Sequence, residues 1–270
     1  MESKGKTVLI TGASTGFGLA IAQKLHADGF NVIGTSRNPA KTQSEVPFKM
    51  LALDIAEDTS ISSFSQKLFT EIGRLDVLIN NAGFLVTGLA EETPIELGRQ
   101  QFETNFWGTI KLTNELLPQF RKQREGKIIT IGSVLGLVSL PNVAYYAASK
   151  HALEGYYKAL RLELTQFNIQ VCMVEPMGFK TNIATSSTTV PGKFSDYDTF
   201  RKQITAFTKN EFDKAPEAGP VIEAVIKLVK EKNSKYSNPI GKGSTLFPAL
   251  QFFMQGTLES QILKQVNAVK

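Results

Sequence analysis

The stretch from residue 126 to residue 150 carries a hydroxyl, a phenol and an ammonium group at spacings that suit carbonyl chemistry. Ser133 ends an apolar, β-branched run that predicts a buried strand, and Tyr146 follows 13 positions later. From Ala144 onward the sequence predicts a helix, so Tyr146 and Lys150 should lie one turn apart on one face. An ammonium beside a phenol favours the phenolate and lowers its pKa from about 10. Because Ser133 can hydrogen-bond the same substrate oxygen, the three groups could transfer a proton to or from a carbonyl.

Tyr145 is the alternative phenol in this stretch. It precedes Lys150 by five residues, which is about 500° of helical rotation and places it about 140° from the face of the lysine. We therefore predict Tyr146 as the acid. An isolated Tyr-x-x-x-Lys pattern is also typical of an ordinary amphipathic helix, so this interpretation needs a cofactor site in the same chain.

The first 25 residues supply a candidate cofactor site. Residues 6–10 predict a strand, the turn T-G-A-S-T-G-F-G follows at 11–18, and a helical pattern begins directly after it. Such an arrangement turns bare backbone N–H groups and the positive end of a helix dipole toward a phosphate. The glycines allow close approach and positive φ, although their spacing, G-x-x-x-G-x-G, differs from the general dinucleotide fingerprint. The residues predicted to form this cradle are Thr11, Gly12, Ser14, Thr15, Gly16, Phe17 and Gly18.

The end of the second predicted strand bears on the choice of cofactor. Residues 31–35 are followed by Ser36, Arg37 and Asn38, with no acidic residue to accept hydrogen bonds from a ribose 2′-OH. The guanidinium of Arg37 instead suits a 2′-phosphate. A solvated surface arginine is the alternative. We interpret the pattern as favouring NADP(H).

Over residues 6–181 the chain resembles the short-chain dehydrogenase/reductase family. The motifs that carry the resemblance are Thr11-Gly-x-x-x-Gly-x-Gly18, Leu53-Asp54-Ile55, Asn80-Asn-Ala-Gly83, Asn105 in E-T-N-F-W-G, Ser133, Tyr146 and Lys150. The resemblance implies that Asp54 lies near the adenine and that Asn81, Ala82 and Gly83 flank the adenosine. It also implies that Asn105 joins a water-linked proton relay with Lys150, and that Tyr146 and Lys150 contact the cofactor. Taken from the residues alone, Asp54 could equally cap the next helix.

One motif departs from the family pattern. The family has Pro-Gly after the sixth strand and a Thr four residues beyond that Gly, whereas this chain reads E-P-M-G-F-K-T over 175–181. The resemblance implies cofactor contacts at Pro176, Phe179 and Thr181. Met177 replaces the usual Gly, so we expect Met177 or Phe179 to reshape the wall beside the nicotinamide.

Length and pattern predict a single α/β domain over residues 1–270. Strand patterns at 6–10, 31–35, 49–53, 75–79, 126–132 and 169–174 alternate with helical stretches, which indicates a doubly wound parallel sheet. Cys172, the one cysteine of the chain, lies in an apolar run and is expected to be a buried, inert thiol. With no disulfide, no signal-peptide pattern and no bilayer-length apolar run, we expect a cytoplasmic protein. His26 and His151 are too isolated to suggest a metal site.

Two later segments suggest what lies over the cofactor. Residues 182–215 begin with a polar run and continue with large apolar residues at three- and four-residue steps, which predicts a helical lid. These residues are Phe194, Tyr197, Phe200, Ile204, Phe207 and Phe212; either they form an apolar wall for a substrate or they pack on the sheet. The C-terminal extension, residues 236–270, contains an apolar run. This run could contact a partner subunit, the pocket or a membrane surface. Residues 201–270 hold eleven Lys and Arg against six Asp and Glu, which accounts for the whole net charge of +5.

These patterns together predict an NADP(H)-dependent oxidoreductase that interconverts an alcohol and a ketone or aldehyde, with a lipophilic substrate. The region around Pro176 and the lid resemble the hydroxysteroid and retinol dehydrogenase side of the family. A reductase of carrier-bound 3-oxoacyl chains is one alternative, with the basic tail binding an acidic carrier. A cofactor-sensing protein without turnover is another, although such a protein would be expected to lose the phenol or the lysine. We expect a homo-oligomer. The basic C-terminal part could also make a weak contact with a membrane surface. No nucleic-acid motif is present.

Overall fold

The computed structural model describes residues 5–180 and 187–268. Its strands are β1 (Thr7–Ile10), β2 (Asn31–Ser36), β3 (Lys49–Ala52), β4 (Val77–Asn80), β5 (Val86–Thr87), β6 (Gly126–Ile131), β7 (Ile169–Pro176), β8 (Thr188–Thr189) and β9 (Ser237–Ile240). Within the described residues, seven strands form one parallel sheet in the order β3-β2-β1-β4-β6-β7-β9, and β5 and β8 form a separate parallel pair. The predicted doubly wound parallel sheet is therefore confirmed.

Helices cover both faces of this sheet. They are α1 (Gly16–Ala27), α2 (Ala40–Gln43), α3 (Asp58–Glu71), α4 (Ile95–Phe102), α5 (Thr109–Gln123), α6 (Ala144–Leu164), α7 (Asp198–Asp213), α8 (Gly219–Lys230), α9 (Leu246–Phe253) and α10 (Gln255–Ala268). A π-helix over Glu103–Gly108 joins α4 to α5, and short 3-10 turns follow β6 and α6. None of the described helices has both the length and the apolar character that crossing a bilayer requires.

The two cores follow from the alternation of side chains along each strand. In β1, Val8 and Ile10 face one side of the sheet and pack with α1 and α8, whereas Leu9 faces the other side and packs with α3, α5 and α6. Because both faces are covered, the central strands are apolar almost throughout, as a parallel sheet requires.

The six strands expected from the sequence all form, with ends shifted by one or two residues. Within the seven-stranded sheet, the strand that the sequence patterns missed is β9, at the edge beside β7; the two-residue strands β5 and β8 were not predicted either. The sequence of β9, S-N-P-I, is short and polar and contains Pro239. A proline cannot donate to a ladder and is tolerated at an edge, which is why no strand signal was visible.

The order of strands reverses between β1 and β4, because β2 and β3 extend the sheet to one side and β6, β7 and β9 to the other. In open parallel sheets, ligands bind at the carboxyl ends of the strands beside such a reversal. Thr11 follows β1 and Asn81 follows β4, so the predicted motifs meet at this point.

Candidate active site

A cleft of about 970 Å³ opens at the carboxyl ends of the central strands. Most of the residues predicted for a cofactor or for catalysis line it, namely Thr11, Gly12, Ser14, Thr15, Gly16, Phe17, Arg37, Asn81, Ala82, Gly83, Ser133, Tyr146, Lys150, Pro176 and Phe179. Gly18, Asp54 and Asn105 lie outside the lining, and Thr181 lies outside the described residues. The structure thus brings the glycine-rich turn and the phenol–lysine pair into one cavity.

The glycine-rich turn is shaped for close approach of a ligand. Gly12 and Gly16 have φ values of +65° and +56°, which disfavour any residue with a Cβ. A Cβ at Gly18 would collide with the backbone oxygen of Gly12 and with the amide of Asn81, so Gly18 allows α1 to begin tightly against the turn. The start of α1 therefore presents free backbone N–H groups to the cleft, as a diphosphate requires.

Thr11 and Asn81 lock the turn after β1 to the turn after β4. The Thr11 hydroxyl accepts hydrogen bonds from the backbone N–H groups of Asn81 and Ala82, each at 2.9 Å. The Asn81 amide donates back to the carbonyl oxygens of Thr11 and Gly12, at 2.9 and 3.1 Å. Thr11 and Asn81 thus hold the shape of the cavity floor.

The end of β2 offers polar groups for the far end of a dinucleotide. Arg37 lines the cleft and is exposed. Beside it, the buried Ser36 hydroxyl oxygen has no hydrogen-bond partner among the described residues. A buried polar atom without a partner is costly, so this corner suits a ligand that brings hydrogen-bonding oxygens.

Asp54 makes a local turn. One carboxylate oxygen accepts a hydrogen bond from the Ala56 backbone N–H at 3.0 Å, ahead of α3. Its neighbours Leu53 and Ile55 line the cleft. The contact of Asp54 with an adenine remains a prediction.

Ser133, Tyr146 and Lys150 converge on the cleft from β6 and α6. All three are less than one-tenth exposed, and Ser133 lies close enough to the Tyr146 phenol to act on its pKa. The Lys150 Nζ lies 5.7 Å from the centre of the Tyr146 ring and donates to the Ile131 carbonyl oxygen at 2.9 Å. Tyr145 points elsewhere, since its ring packs against Gly98 in α4. The helical register therefore separates the two tyrosines as expected.

Burial decides the protonation of these groups. It raises the pKa of Tyr146 to about 12, although the hydrogen bond from Ser133 acts in the opposite direction. Burial also lowers the pKa of Lys150 to about 8, with a smaller opposing effect from the Glu154 carboxylate. The sequence predicts that Lys150 lowers the pKa of the phenol, and this prediction is wrong. Desolvation dominates the pKa of Tyr146, and the Lys150 ammonium donates a hydrogen bond to the Ile131 carbonyl oxygen.

Asn105 lies in the π-helix and is almost fully buried. Its side chain exchanges two 3.0 Å hydrogen bonds with the backbone of Phe84 and reaches Ser149, between Tyr146 and Lys150, at 3.4 Å. Single-turn π-helices are frequent at functional sites because they redirect a side chain or a carbonyl. Asn105 therefore ties the loop after β4 to the face of α6 that carries the phenol and the lysine.

The segment after β7 explains the departure at Met177. The Met177 N–H pairs with the Ile240 carbonyl oxygen at 2.8 Å, continuing the β7–β9 ladder, and Gly178 takes the left-handed turn with φ of +65°. Pro176, Gly178 and Phe179 line the cleft, whereas Met177 does not. The late glycine thus makes the turn one position beyond the usual place, and Phe179 forms the wall.

An apolar wall, most of it unforeseen from the sequence, completes the cleft. It consists of Phe84, Leu85, Leu135, Leu140, Pro141, Val143, Ile204 and Phe207. Ile204 and Phe207 come from α7, within the predicted lid, but the other lid residues named from the sequence do not line the cleft. Part of this wall could have been predicted from the sequence, because Leu135 to Val143 lie between Ser133 and Tyr146.

An ion pair with a buried carboxylate anchors the lid helix. The Glu92 carboxylate binds Arg201 of α7 at 2.6 and 3.1 Å and accepts the backbone N–H groups of Lys193 and Phe194 at 2.8 and 2.9 Å. The bond from Arg201, with those from the backbone, lowers the pKa of Glu92 to about 2. Glu92 therefore holds both the segment that leads into α7 and the helix itself against the body of the domain.

Comparison with known proteins agrees with this geometry. A model of the short chain dehydrogenase family matches residues 6–191. The chain is 36% identical to the uncharacterized oxidoreductase YusZ of Bacillus subtilis, over 96% of this chain and 98% of that protein. It is 38% identical to a 3-ketodihydrosphingosine reductase of Bacteroides thetaiotaomicron, over 87% of each.

A solved short-chain dehydrogenase from Streptomyces avermitilis superposes with a TM-score of 0.85 and 27% identity over the full length of both chains. The match therefore extends beyond the cofactor half to the lid and the C-terminal helices. This chain belongs to the short-chain dehydrogenase/reductase family, whose members are NAD(P)-dependent oxidoreductases acting on CH–OH groups.

Proposed function

We propose that this protein is an NADP(H)-dependent oxidoreductase that interconverts a lipophilic alcohol and the corresponding ketone or aldehyde. The observation that carries the proposal is the convergence of Ser133, Tyr146 and Lys150 in one cleft with the glycine-rich turn. A bound nicotinamide cofactor supplies or accepts the hydride in this chemistry. The chain itself binds and orients the reactants and moves the proton.

The catalytic roles combine contacts of these residues with what the family resemblance implies. Tyr146, kept protonated at neutral pH by burial, donates its proton to the carbonyl oxygen during reduction. Ser133 orients that oxygen, because its hydroxyl lies within hydrogen-bonding reach of the Tyr146 phenol. Lys150 holds the cofactor ribose, and Asn105 positions the loop at Phe84 and supports the proton relay.

The preference for NADP(H) rests on the end of β2. Arg37 is exposed at the cleft and offers paired N–H donors to a 2′-phosphate. No acidic residue stands at positions 36–38 to favour a free 2′-OH. The unpartnered Ser36 hydroxyl supports an additional hydrogen bond at the same corner. The remaining cofactor residues carry the roles implied by the resemblance: Asp54 near the adenine, and Pro176, Phe179 and Thr181 at the nicotinamide end.

The apolar wall supports a substrate with a large aliphatic or polycyclic part. Burying each apolar side chain contributes about 1.5–3 kcal/mol, so several together favour a bulky ketone over a small one. The relative named as a 3-ketodihydrosphingosine reductase supports a long-chain ketone in particular.

A panel of carbonyl compounds tests this proposal. NADPH oxidation would be followed with a long-chain 3-keto sphingoid base, a steroid ketone, retinal, short ketones and a sugar. We expect kcat/KM to rise with apolar size. Phe207→Ala should reduce this gain, whereas Phe200→Ala on the same helix should not, because Phe200 does not line the cleft. A short polar ketone or a sugar as the best substrate would refute the lipophilic pocket.

A reductase of carrier-bound 3-oxoacyl chains is the second candidate, favoured by the basic excess over residues 201–270. Turnover of a carrier-bound 3-oxoacyl chain well above that of the free ketone would establish it. Cofactor binding without turnover of any compound would indicate a sensing role.

Location and assembly form part of the proposal. Cys172 is buried and free, which supports a reducing compartment such as the cytoplasm. The exposed indole of Trp107, beside Phe106 in the π-helix, supports self-association through the α5–α6 side.

A further inference from the structure

The C-terminal helices present apolar side chains that nothing in the described part of the chain covers. Leu246, Phe252, Phe253 and Met254 are 57%, 82%, 79% and 52% exposed, and we call these four residues the α9 patch. The rings of Phe252 and Phe253 stand 4.8 Å apart, edge to face. No charged residue occurs between Ser244 and Leu258. Exposed apolar patches of this kind are often functional.

Two other residues of the same helix are partly buried. Phe247 and Leu250 join a hydrophobic cluster with Val134, Leu135 and Leu258. Val134 and Leu135 directly follow Ser133, and Leu135 lines the cleft. The helix that carries the patch therefore also contacts a residue of the active-site wall.

The size of the patch argues against a second copy of the chain as its occupant. With about 200 Å² for each fully exposed side chain, the four residues offer about 500 Å². A protein interface of standard size buries about 800 Å² on each partner. The surface proposed above for self-association is instead the one at Trp107, which is 49% exposed.

The charges around the patch favour a lipid surface. Residues 242–268 contain two exposed lysines, Lys242 and Lys264, one on each side of the patch in sequence, and a single acidic residue, Glu259. Aromatic and aliphatic side chains beside lysines are what an interfacial helix uses: the apolar groups enter the acyl boundary and the lysines meet anionic headgroups.

We propose that the α9 patch inserts into the surface of an anionic lipid bilayer. The contact is peripheral, so no segment has to span the bilayer. Insertion of only some of the patch side chains is sufficient. The membrane is then the source of the lipophilic substrate, and this second statement rests on the proposed function. Membrane binding itself does not depend on turnover.

Vesicle sedimentation tests the proposal with the full-length protein. The vesicles would contain phosphatidylcholine alone or phosphatidylcholine with phosphatidylserine. We expect binding to the anionic vesicles, and at least about tenfold weaker binding for the double variant Phe252→Ser/Phe253→Ser. Lys242→Gln and Lys264→Gln should each weaken binding about fivefold on anionic vesicles only. Leu162→Ser is the matched control, because Leu162 is 74% exposed on α6, outside the patch, and should bind as the parent does.

Two further measurements separate the possible failures. Size-exclusion chromatography of the parent and the Phe252→Ser/Phe253→Ser variant shows whether the patch joins two copies; a loss of oligomer in the variant would overturn the proposal. Parent protein that stays in the supernatant with anionic vesicles would overturn it as well. NADPH oxidation with a short ketone and no vesicles should be unchanged in the variant. If no carbonyl compound is turned over but vesicle binding remains, the proposed function fails and the membrane contact stands.

Discussion

Desolvation governs the chemistry available to Tyr146. A phenol whose pKa is raised to about 12 is fully protonated at neutral pH and can act as an acid, but it needs an oriented partner to lose its proton quickly. That partner is the substrate oxygen, which Ser133 orients, and Lys150 lies close by at the ring.

Removal of the Tyr146 hydroxyl should abolish most of the turnover. For Tyr146→Phe we expect NADPH binding near that of the parent and a kcat at least about 100-fold lower, since the general acid is lost. Steady-state kinetics and a fluorescence titration of NADPH measure the two effects.

Tyr145→Phe is the matched control, because the Tyr145 ring packs on Gly98 away from the cleft. Its kcat should stay close to that of the parent. Near-normal turnover in Tyr146→Phe, or a large loss in Tyr145→Phe, would show that the phenols have been assigned the wrong way round.

Arg37 should determine the cofactor preference. Charge-assisted hydrogen bonds to a 2′-phosphate contribute about 1.5–3 kcal/mol, so Arg37→Ala should weaken NADPH binding about tenfold to a hundredfold and leave NADH binding nearly unchanged. Equilibrium titrations with both cofactors measure this ratio. Equal affinity of the parent for NADPH and NADH would contradict the assignment.

Among the helices, α7 depends on a contact far away in sequence. Glu92 lies after β5, yet its carboxylate holds Arg201 and the backbone at Lys193 and Phe194. The short β5–β8 pair makes a second connection between the same two regions. Ile204 and Phe207 reach the cleft because these contacts place α7 there.

Loss of the Glu92 carboxylate should loosen α7 and impair bulky substrates selectively. We expect Glu92→Gln to lower the melting temperature and to reduce kcat/KM for a lipophilic ketone more than for a short one, with the NADPH affinity unchanged. Asp198→Asn is the comparison, because Asp198 also binds Arg201, at 2.6 Å, but is largely exposed. An equal effect of both variants on the substrate ranking would count against Glu92 as the anchor.

A buried carboxyl pair links three parts of the sheet domain. Glu154 of α6 accepts a 3.2 Å hydrogen bond from Tyr236, and Glu175 of β7 accepts a 2.7 Å bond from the Asn238 N–H in β9. The second carboxylate oxygen of each residue is buried without a partner among the described residues. Burial raises the pKa of Glu175 to about 8, with the negative charge of Glu154 acting in the same direction, and raises the pKa of Glu154 to about 7.

This pair should make global stability fall as the pH rises. Unfolded glutamates titrate near pH 4.3, so between about pH 4 and pH 8 the folded state binds more protons than the unfolded state. The stabilisation is complete below that range and is lost as the pH passes through the folded pKa values. Glu175→Gln removes part of this dependence. The melting temperature of the variant minus that of the parent should therefore increase from about pH 5 to about pH 9.

Glu45→Gln controls for the general effect of removing a carboxylate, because Glu45 is exposed. Its difference from the parent should be nearly constant over the same range. A Glu175→Gln difference that is flat or decreases with pH would mean that the pair is already ionised in the folded protein.

Local pattern determined the parts of this protein that depend on neighbours in sequence. Strand and helix periodicity act over a few residues. This made two features predictable: the succession of strand, glycine turn and helix over residues 6–25, and the register of Tyr146 with Lys150. The resemblance then added Asn105 and Asp54, whose positions no periodicity reveals.

Tertiary structure alone decided the rest. Three features depend on contacts between segments far apart in the chain. They are the anchoring of α7 by Glu92, the burial of Glu154 beside Glu175, and the edge strand β9. The protonation of Tyr146 also reversed the expectation from sequence, because spacing reveals a nearby charge but not the extent of desolvation. Sequence by itself thus determined which groups could react, whereas packing determined their charge states and the apolar wall they face.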